Sequence, residues 1–440
     1  MLNQVEYYAH PAVRRHVESF CKKAEYVVGY GESEVWRGNK KGFYTAPVKG
    51  LDRMFEYGLD ILTCMYQHGQ TLTLFDVEYY NPQYPGEAHL NPDRVYKLME
   101  PVYRAIMTVY RRYDLPVMSV VSGQGYHFWT RIPHGRVHSA IEKIGIIEPS
   151  VARTYKRKKI SQKAGLAFSG TGRLQMFLCG EILKEIGKQR KSGKKILPVY
   201  FSDINPPHSR EAISFDLTTY ADPIHMRDAR VPFSCYQKHK VMVDKVGQEN
   251  ADKIPVRVLL PRKVPGHREL SLERCLQMRN HFRDASELAE KVGTKMPDAS
   301  QAWDKILTAF HRSKFGAFYY HFDSGPRSPA KINKRQLPPC VRKALNPEQL
   351  LEPTQVQTVV RVLDSMGHHP RAIAELIYKA YRRTDFGKYD AQRRAYFWAE
   401  GYAALIHTGI DLKRDLTCLK HQQKDRCPKP MCGWDLKNYR

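Results

Sequence analysis

Several absences narrow the chain before any motif is found. No apolar run reaches the roughly 18 residues that a membrane-spanning helix needs. The opening stretch MLNQVEYYAHPAVRRH has no apolar core of the kind a secretory leader requires, so the sequence predicts an intracellular chain with no membrane partner. Internal repeats and extended low-complexity tracts are missing too. Nor is there a Walker A sequence: the nearest, GKQRKSGKK, carries Lys where Ser or Thr should follow the lysine. Acidic residues are in deficit, 45 against 71 Lys and Arg, which leaves a net charge of +26. An excess of that size favours polyanions such as nucleic acid or an anionic lipid surface, with a merely soluble basic protein as the plain alternative.

What is present builds large cores. The 440 residues are 42% hydrophobic and 11% aromatic, enough for two or three globular domains. From about residue 70 to residue 240, TLTLFDVEYY, PVMSVVSGQGYHFWTR and EAISFDLTTY read as strands, and PDRVYKLMEPVYRAIMTVYRRY reads as a helix with Pro at its first turn. The segment VGQENADKIPVRVLLPRKVPGHREL, rich in Pro, Gly and charge, reads as a connection. Beyond it come helical segments, including SQAWDKILTAFHRSKFGAFYYHF with Ser300 as its cap, and EPTQVQTVVRVLDSMG. The expected fold class is α+β, divided into a catalytic unit over 1–245, a linker and helical segment over 246–325, and a mainly helical metal-binding unit over 326–440.

Three constellations carry chemistry. In LTLFDVEYY, Asp76 and Glu78 are two apart, so on a strand both carboxylates project from one face and repel unless a cation lies between them. A hard divalent ion takes one or two carboxylates plus phosphate oxygens; two solvent-facing acids are the plainer reading. In SGQGYHFW, Gly123 and Gly125 permit a tight turn or close backbone approach, with His127 reaching in from the strand that follows. A dinucleotide fingerprint fails because position 128 is Phe, whereas a β-bulge with a core histidine stays open. In SFDLTTYADPIHMRDARVPFSCYQK, Asp216 offers a third carboxylate, Arg230 and Lys238 offer phosphate contacts, and Asp222 reads as a turn cap.

Taken in order, the strand Asp-x-Glu, the Ser-Gly-x-Gly-x-His and the Asp followed by RVPFSCYQK resemble the archaeo-eukaryotic primase superfamily, which includes primase small subunits and primase-polymerases. The likeness covers roughly residues 72–240. It implies that Asp76, Glu78 and Asp216 hold two Mg²⁺ or Mn²⁺ ions, and that Ser122, Gly123, Gly125, His127, Arg230 and Lys238 hold the incoming triphosphate. Two departures stand out: Tyr236 replaces a histidine of the family's Lys-Ser-Pro-Phe-Ser-x-His-x-Lys run, and Arg230 replaces its first lysine. Arg37 or Lys41, in VWRGNKKGFY, would lie near nucleotide or template, and Tyr126 or Tyr220 would gate the sugar.

The nine cysteines of an intracellular chain read as buried thiols or metal ligands rather than disulfides. Cys340 in LPPCVRKAL and the trio Cys418, Cys427 and Cys432 bracket a basic helical segment that resembles the iron–sulfur domain of the primase large subunit. There the resemblance implies a [4Fe–4S] cluster on these four thiolates. Zinc held locally by Cys418, His421, Cys427 and Cys432 is the alternative. Cys21, Cys64, Cys179, Cys235 and Cys275 read as buried small side chains. Arg342, Arg361, Arg371, Arg382, Arg383, Arg393 and Arg394, interleaved with Tyr and Phe, would track a phosphate backbone. The combined expectation is a DNA primase or primase-polymerase in one chain that starts primers on a single-stranded DNA template from NTPs or dNTPs, beside a separate replicative helicase. The rivals are a repair or end-joining polymerase of the same superfamily and a non-catalytic nucleic-acid-binding protein.

Overall fold

The structure, a computed structural model, describes residues 3–31, 43–201, 211–238, 243–348, 351–383, 389–410, 417–423 and 425–439; Arg37 and Lys41 lie outside the described residues. Its strands are β1 (Val27–Tyr30), β2 (Phe43–Ala46), β3 (Asp60–Cys64), β4 (Tyr66–Gln67), β5 (Gln70–Tyr80), β6 (Met118–Val121), β7 (Gly125–Pro133), β8 (Val199–Phe201), β9 (Ala212–Asp216), β10 (Asp228–Arg230), β11 (Cys235–Tyr236), β12 (Arg257–Val258) and β13 (Leu260–Lys263). Helices surround them, which makes the fold α+β, as the sequence predicts.

Among the described residues the largest sheet runs β13-β6-β7-β5-β9-β8, with β4 also paired to β5. Only β8 and β9 are parallel within it. A second sheet runs β10-β3-β1-β2, and β11 pairs with β12. Period-two alternation along β5 sends Phe75, Val77 and Tyr79 to one face and Leu74, Asp76 and Glu78 to the other.

The first face rests on the helix Pro92–Arg112, which presents Tyr96, Tyr103 and Tyr110 as one buried stripe. Tyr110 meets Phe75 and Phe128 edge-on, and Tyr103 lies 4.8 Å from Tyr126. Their hydroxyls are used as well: Tyr96 donates to the Ser122 carbonyl at 2.7 Å, and Tyr103 shares a bond with Ser119 Oγ at 2.9 Å. Buried phenols bonded in this way fix where the β6–β7 turn sits. PVMSVVSGQGYHFWTR is therefore a hairpin, two strands closed by Ser122-Gly123-Gln124.

The predicted boundaries need amending. Within 246–325, read as a linker, Leu260–Lys263 is the edge strand of the main sheet beside β6. Arg262 from this strand is buried, forks onto Glu100 at 2.6 and 2.8 Å and donates to the Tyr126 hydroxyl at 3.0 Å. Pro261 misled the reading, since an edge strand tolerates the missing amide. The helix Ala391–His407 from the 326–440 region docks on the sheet-bearing 1–245 region: Arg393 bonds Glu148 and the Tyr220 carbonyl, and Phe201 packs on Trp398 and Tyr402. One continuous core runs from Tyr7 to Leu436. Ser300 is the first helical residue rather than the cap; Asp298 accepts its amide at 2.7 Å.

Candidate active site

β5 stands between β7 and β9, and the register places His127, Asp76 and Asp216 opposite one another in one row. Two residues along, Gly125, Glu78 and Ser214 form the next row. Paired residues of neighbouring strands point to the same face, so three carboxylates, a histidine and a serine share one patch of sheet, turned away from the tyrosine-lined helix.

The patch is largely but not fully buried and is under electrostatic tension. Burial holds the Asp76 carboxyl well above the usual carboxylate range, and the charges of Glu78 and then Asp216 push the same way, against the nearby Lys238 ammonium. Burial, helped by the Arg230 charge, pulls His127 down to about 3, so its imidazole is neutral at physiological pH. His127 Nε2 stands 3.6 Å from Asp76 Oδ1, beyond a hydrogen bond. Asp76 Oδ1, His127 Nδ1 and Ser214 Oγ are all buried without a hydrogen-bond partner, on three adjacent strands. Buried polar atoms are almost always paired, so these three adjacent atoms have hydrogen-bonding capacity that the protein itself does not use. Asp216 is better served: Thr218 donates to its Oδ1 through the amide at 2.8 Å and the hydroxyl at 2.6 Å. Among the described residues no three His, Cys, Asp or Glu side chains are grouped closely enough to hold a metal ion as they stand.

The glycines have distinct reasons. At Gly125 an added Cβ would meet the Val77 carbonyl well inside contact distance, with Val77 C at 2.9 Å and Glu78 Cα at 3.1 Å, so the hairpin approaches β5 backbone to backbone. At Gly123 the space is filled by the Tyr236 ring, the residue that departs from the family's histidine. Ser122 is buried, and its amide donates to the Gly125 carbonyl at 2.8 Å to close the turn. Lys238 is half-buried.

Arg230 comes from β10 in the second sheet, its guanidinium 5.0 Å from the Tyr236 ring and bonded through Nε to Asp60 Oδ2 at 3.2 Å. Asp60 was not anticipated. It is fully buried on β3 and also accepts the Gln237 amide at 3.0 Å, so it anchors both ends of the RVPFSCYQ segment. Between them Phe233 sits at φ 64°, a left-handed conformation costly for a bulky residue, with its amide bonded to the Leu259 carbonyl and its own carbonyl to the Tyr7 hydroxyl. Burial pushes the Asp60 carboxyl up to about 6, against Arg230 and the Gln237 amide. A carboxyl raised on folding is held most tightly in its protonated form, so its contribution to stability is present below pH 4 and is lost as pH rises through 6. That loss amounts to about 3 kcal/mol. In urea melts between pH 4 and 7, the wild type should lose that much relative to Asp60→Asn; a stability gap independent of pH would contradict the assignment.

Other expectations change. Asp222 does not cap a turn: it is buried and takes a two-point contact from Arg394 at 2.7 and 2.7 Å, with Arg227 on the same carboxylate. Arg393 and Arg361 are buried, and Arg371 donates to the Asp323 carbonyl, so these three serve packing rather than a phosphate track; Arg342, Arg382 and Arg383 are exposed. Tyr126 lies on the opposite face of the sheet under Arg262, and the Tyr220 hydroxyl is tied to the backbone of Leu74, so neither gates a sugar. Ser214 was missed, though its place two residues before Asp216 puts it on the same face.

At the other end of the chain, Cys418, Cys427 and Cys432 line one cavity of about 480 Å³. Burial raises the Cys340 thiol to about 12, with smaller contributions from neighbouring Cys427 and Cys418, so all four cysteines gather at one place. Cys418 Sγ accepts the Leu436 amide at 3.5 Å. His421 does not face this cavity as a free ligand: its Nε2 bonds Thr358 Oγ1 at 2.9 Å and its Nδ1 the Thr417 carbonyl at 3.2 Å. As they stand these sulfurs are not grouped closely enough to hold a metal ion; with His421 occupied elsewhere, the ligands on offer here are thiols, a type that both iron–sulfur clusters and zinc accept. Cys21, Cys64, Cys179, Cys235 and Cys275 are buried, as expected. No helix among the described residues is long and apolar enough to cross a membrane. No protein-family model, curated protein or solved structure matches the chain.

Proposed function

We propose that the chain is a DNA primase or primase-polymerase, a nucleotidyltransferase that starts primers on single-stranded DNA from NTPs or dNTPs. The row His127–Asp76–Asp216, with the buried unpaired Asp76 Oδ1 beside Glu78, carries the reading. An Asp76 carboxyl whose proton affinity is raised by burial and by the neighbouring Glu78 and Asp216 charges fits a site for divalent cations, and Asp76, Glu78 and Asp216 would hold Mg²⁺ or Mn²⁺. Bound there, such ions supply charge neutralisation of a triphosphate and activation of an attacking hydroxyl.

The chain's own residues do the rest. His127, neutral, donates an N–H to a phosphate oxygen without moving a proton, because its basicity is too low to take one. Lys238 adds positive charge beside the carboxylates, and Arg230, held in place by Asp60, adds another from the second sheet. Ser122 sits at the turn that Tyr96 pins. Template contacts come from the net positive surface, and the docked helix Ala391–His407 ties the cysteine-bearing region to the loop after Asp216.

Labelled-nucleotide incorporation on a DNA template with Mn²⁺ tests the reading. Asp216→Asn should lower the rate by about 10³-fold or more, since charge neutralisation at the reacting phosphate is lost. Unchanged incorporation would overturn it. The sulfur site makes a separate prediction: anaerobically purified protein should absorb in the visible range through iron–sulfur charge transfer, and Cys340→Ser should bleach most of it. Colourless protein containing zinc would contradict the cluster.

A further inference from the structure

A second cavity, of about 360 Å³, opens at the far end of β5 and β7. Its floor includes Gln70 and Leu72, which share the face of Asp76, and Leu72 pairs with Arg131. Four residues of strand separate Leu72 from Asp76, about 13 Å. Phe20 and Trp129, packed edge-to-face at 5.4 Å, stand between this cavity and His127.

Three separate segments bring cations to it: Lys22 and Lys23 follow the helix Pro11–Cys21, Arg131 comes from β7, and Lys295 from the loop before Met296. No Asp or Glu lines the cavity; Asp298 lies near enough to Arg131 to feel its charge. The loop is latched from two sides, by Ser19 Oγ donating to the Thr294 carbonyl at 3.2 Å and by Arg131 Nε donating to the Met296 carbonyl at 2.8 Å. These two bonds hold the loop that carries Lys295 beside half-buried Arg131, while the three lysines extend from the rim into solvent. Four like charges around one concave space repel unless an anion sits among them.

We infer that this cavity binds a free oligophosphate anion of diphosphate or triphosphate size. Its volume falls in the range of small-ligand sites, and a guanidinium with three ammonium groups matches several phosphate oxygens. The inference does not rest on the nucleotidyl-transfer reading.

Calorimetric titration of the full chain with inorganic tripolyphosphate in EDTA tests it, because without divalent ions the carboxylate patch repels the same anion. Lys22 and Lys295 are exposed, so K22Q/K295Q leaves the core intact; K163Q/K379Q, also exposed, removes equal charge elsewhere. The expected result is binding by the wild type, about tenfold or more weaker in K22Q/K295Q and little changed in K163Q/K379Q. The inference falls if the wild type does not bind tripolyphosphate, or if both double variants weaken it alike. It also falls if K22Q/K295Q affects only binding of a single-stranded oligonucleotide, which would make the cavity part of a nucleic-acid surface.

Discussion

Asp76→Asn should abolish nucleotidyl transfer, by about 10³-fold or more, and at the same time raise the unfolding midpoint of the protein in EDTA. The two effects have one cause. Asp76 lies directly opposite Asp216 and two residues from Glu78 on the same face, half-buried, with one buried carboxylate oxygen lacking any partner. Like charges opposite one another across strands destabilise a sheet, and burial magnifies the effect. Asparagine keeps the shape and removes the charge, so the metal-free fold gains about 1 kcal/mol or more while the site loses the carboxylate that stands between His127 and Asp216. Saturating Mg²⁺ should narrow the stability gap, since only the wild type binds the ion tightly. Lower stability for the variant in EDTA would mean that Asp76 is an ordinary structural acid.

Gly125→Ala should be the most damaging small substitution in the hairpin. The new methyl has no flexible neighbour to displace: it meets the backbone of Val77 and Glu78, so β5 and β7 must separate at the row that carries Glu78. Overpacking against backbone costs about 3 kcal/mol or more, enough to lose folded protein at 37 °C. Gly187→Ala makes the matched control. Nothing lies within 4 Å of its Cβ position, and it sits inside the helix Gln162–Lys191, where alanine should stabilise by about 0.5–1 kcal/mol. Denaturant melts of the two variants should move in opposite directions. Equal midpoints would show that the approach of Gly125 to β5 is not required.

The central strands and their polar row were legible because period two converts spacing into direction. Asp76 and Glu78 had to share a face; the pairing to His127 and Asp216 is set by register, which no single segment displays, and Gly125, expected to let the backbone turn or approach a ligand, instead approaches the β5 backbone. Asp60 was not legible, because an acid at the start of a hydrophobic strand has no local mark of its partner, and Arg230 is 170 residues away. Arg393 and Arg394 misled for the opposite reason. Beside Tyr and Phe on a helix they resemble a phosphate track, but their guanidinium groups are taken by Glu148, Tyr220 and Asp222 of the sheet-bearing region. Leu260–Lys263 was hidden by its proline, which composition reads as linker and an edge strand accepts. His421 has ligand spacing to three cysteines, yet helix packing turns its two nitrogens to Thr358 and Thr417.

The most direct test of the central claim uses single-stranded DNA, free NTPs and dNTPs in separate pools, Mn²⁺ or Mg²⁺, and no primer. Labelled oligomers of defined length should form with the wild type and be absent with Asp76→Asn. Product from primed template alone would point to a repair or end-joining polymerase of the same superfamily, and equal product from wild type and variant would contradict the assignment of Asp76, Glu78 and Asp216 as the catalytic carboxylates.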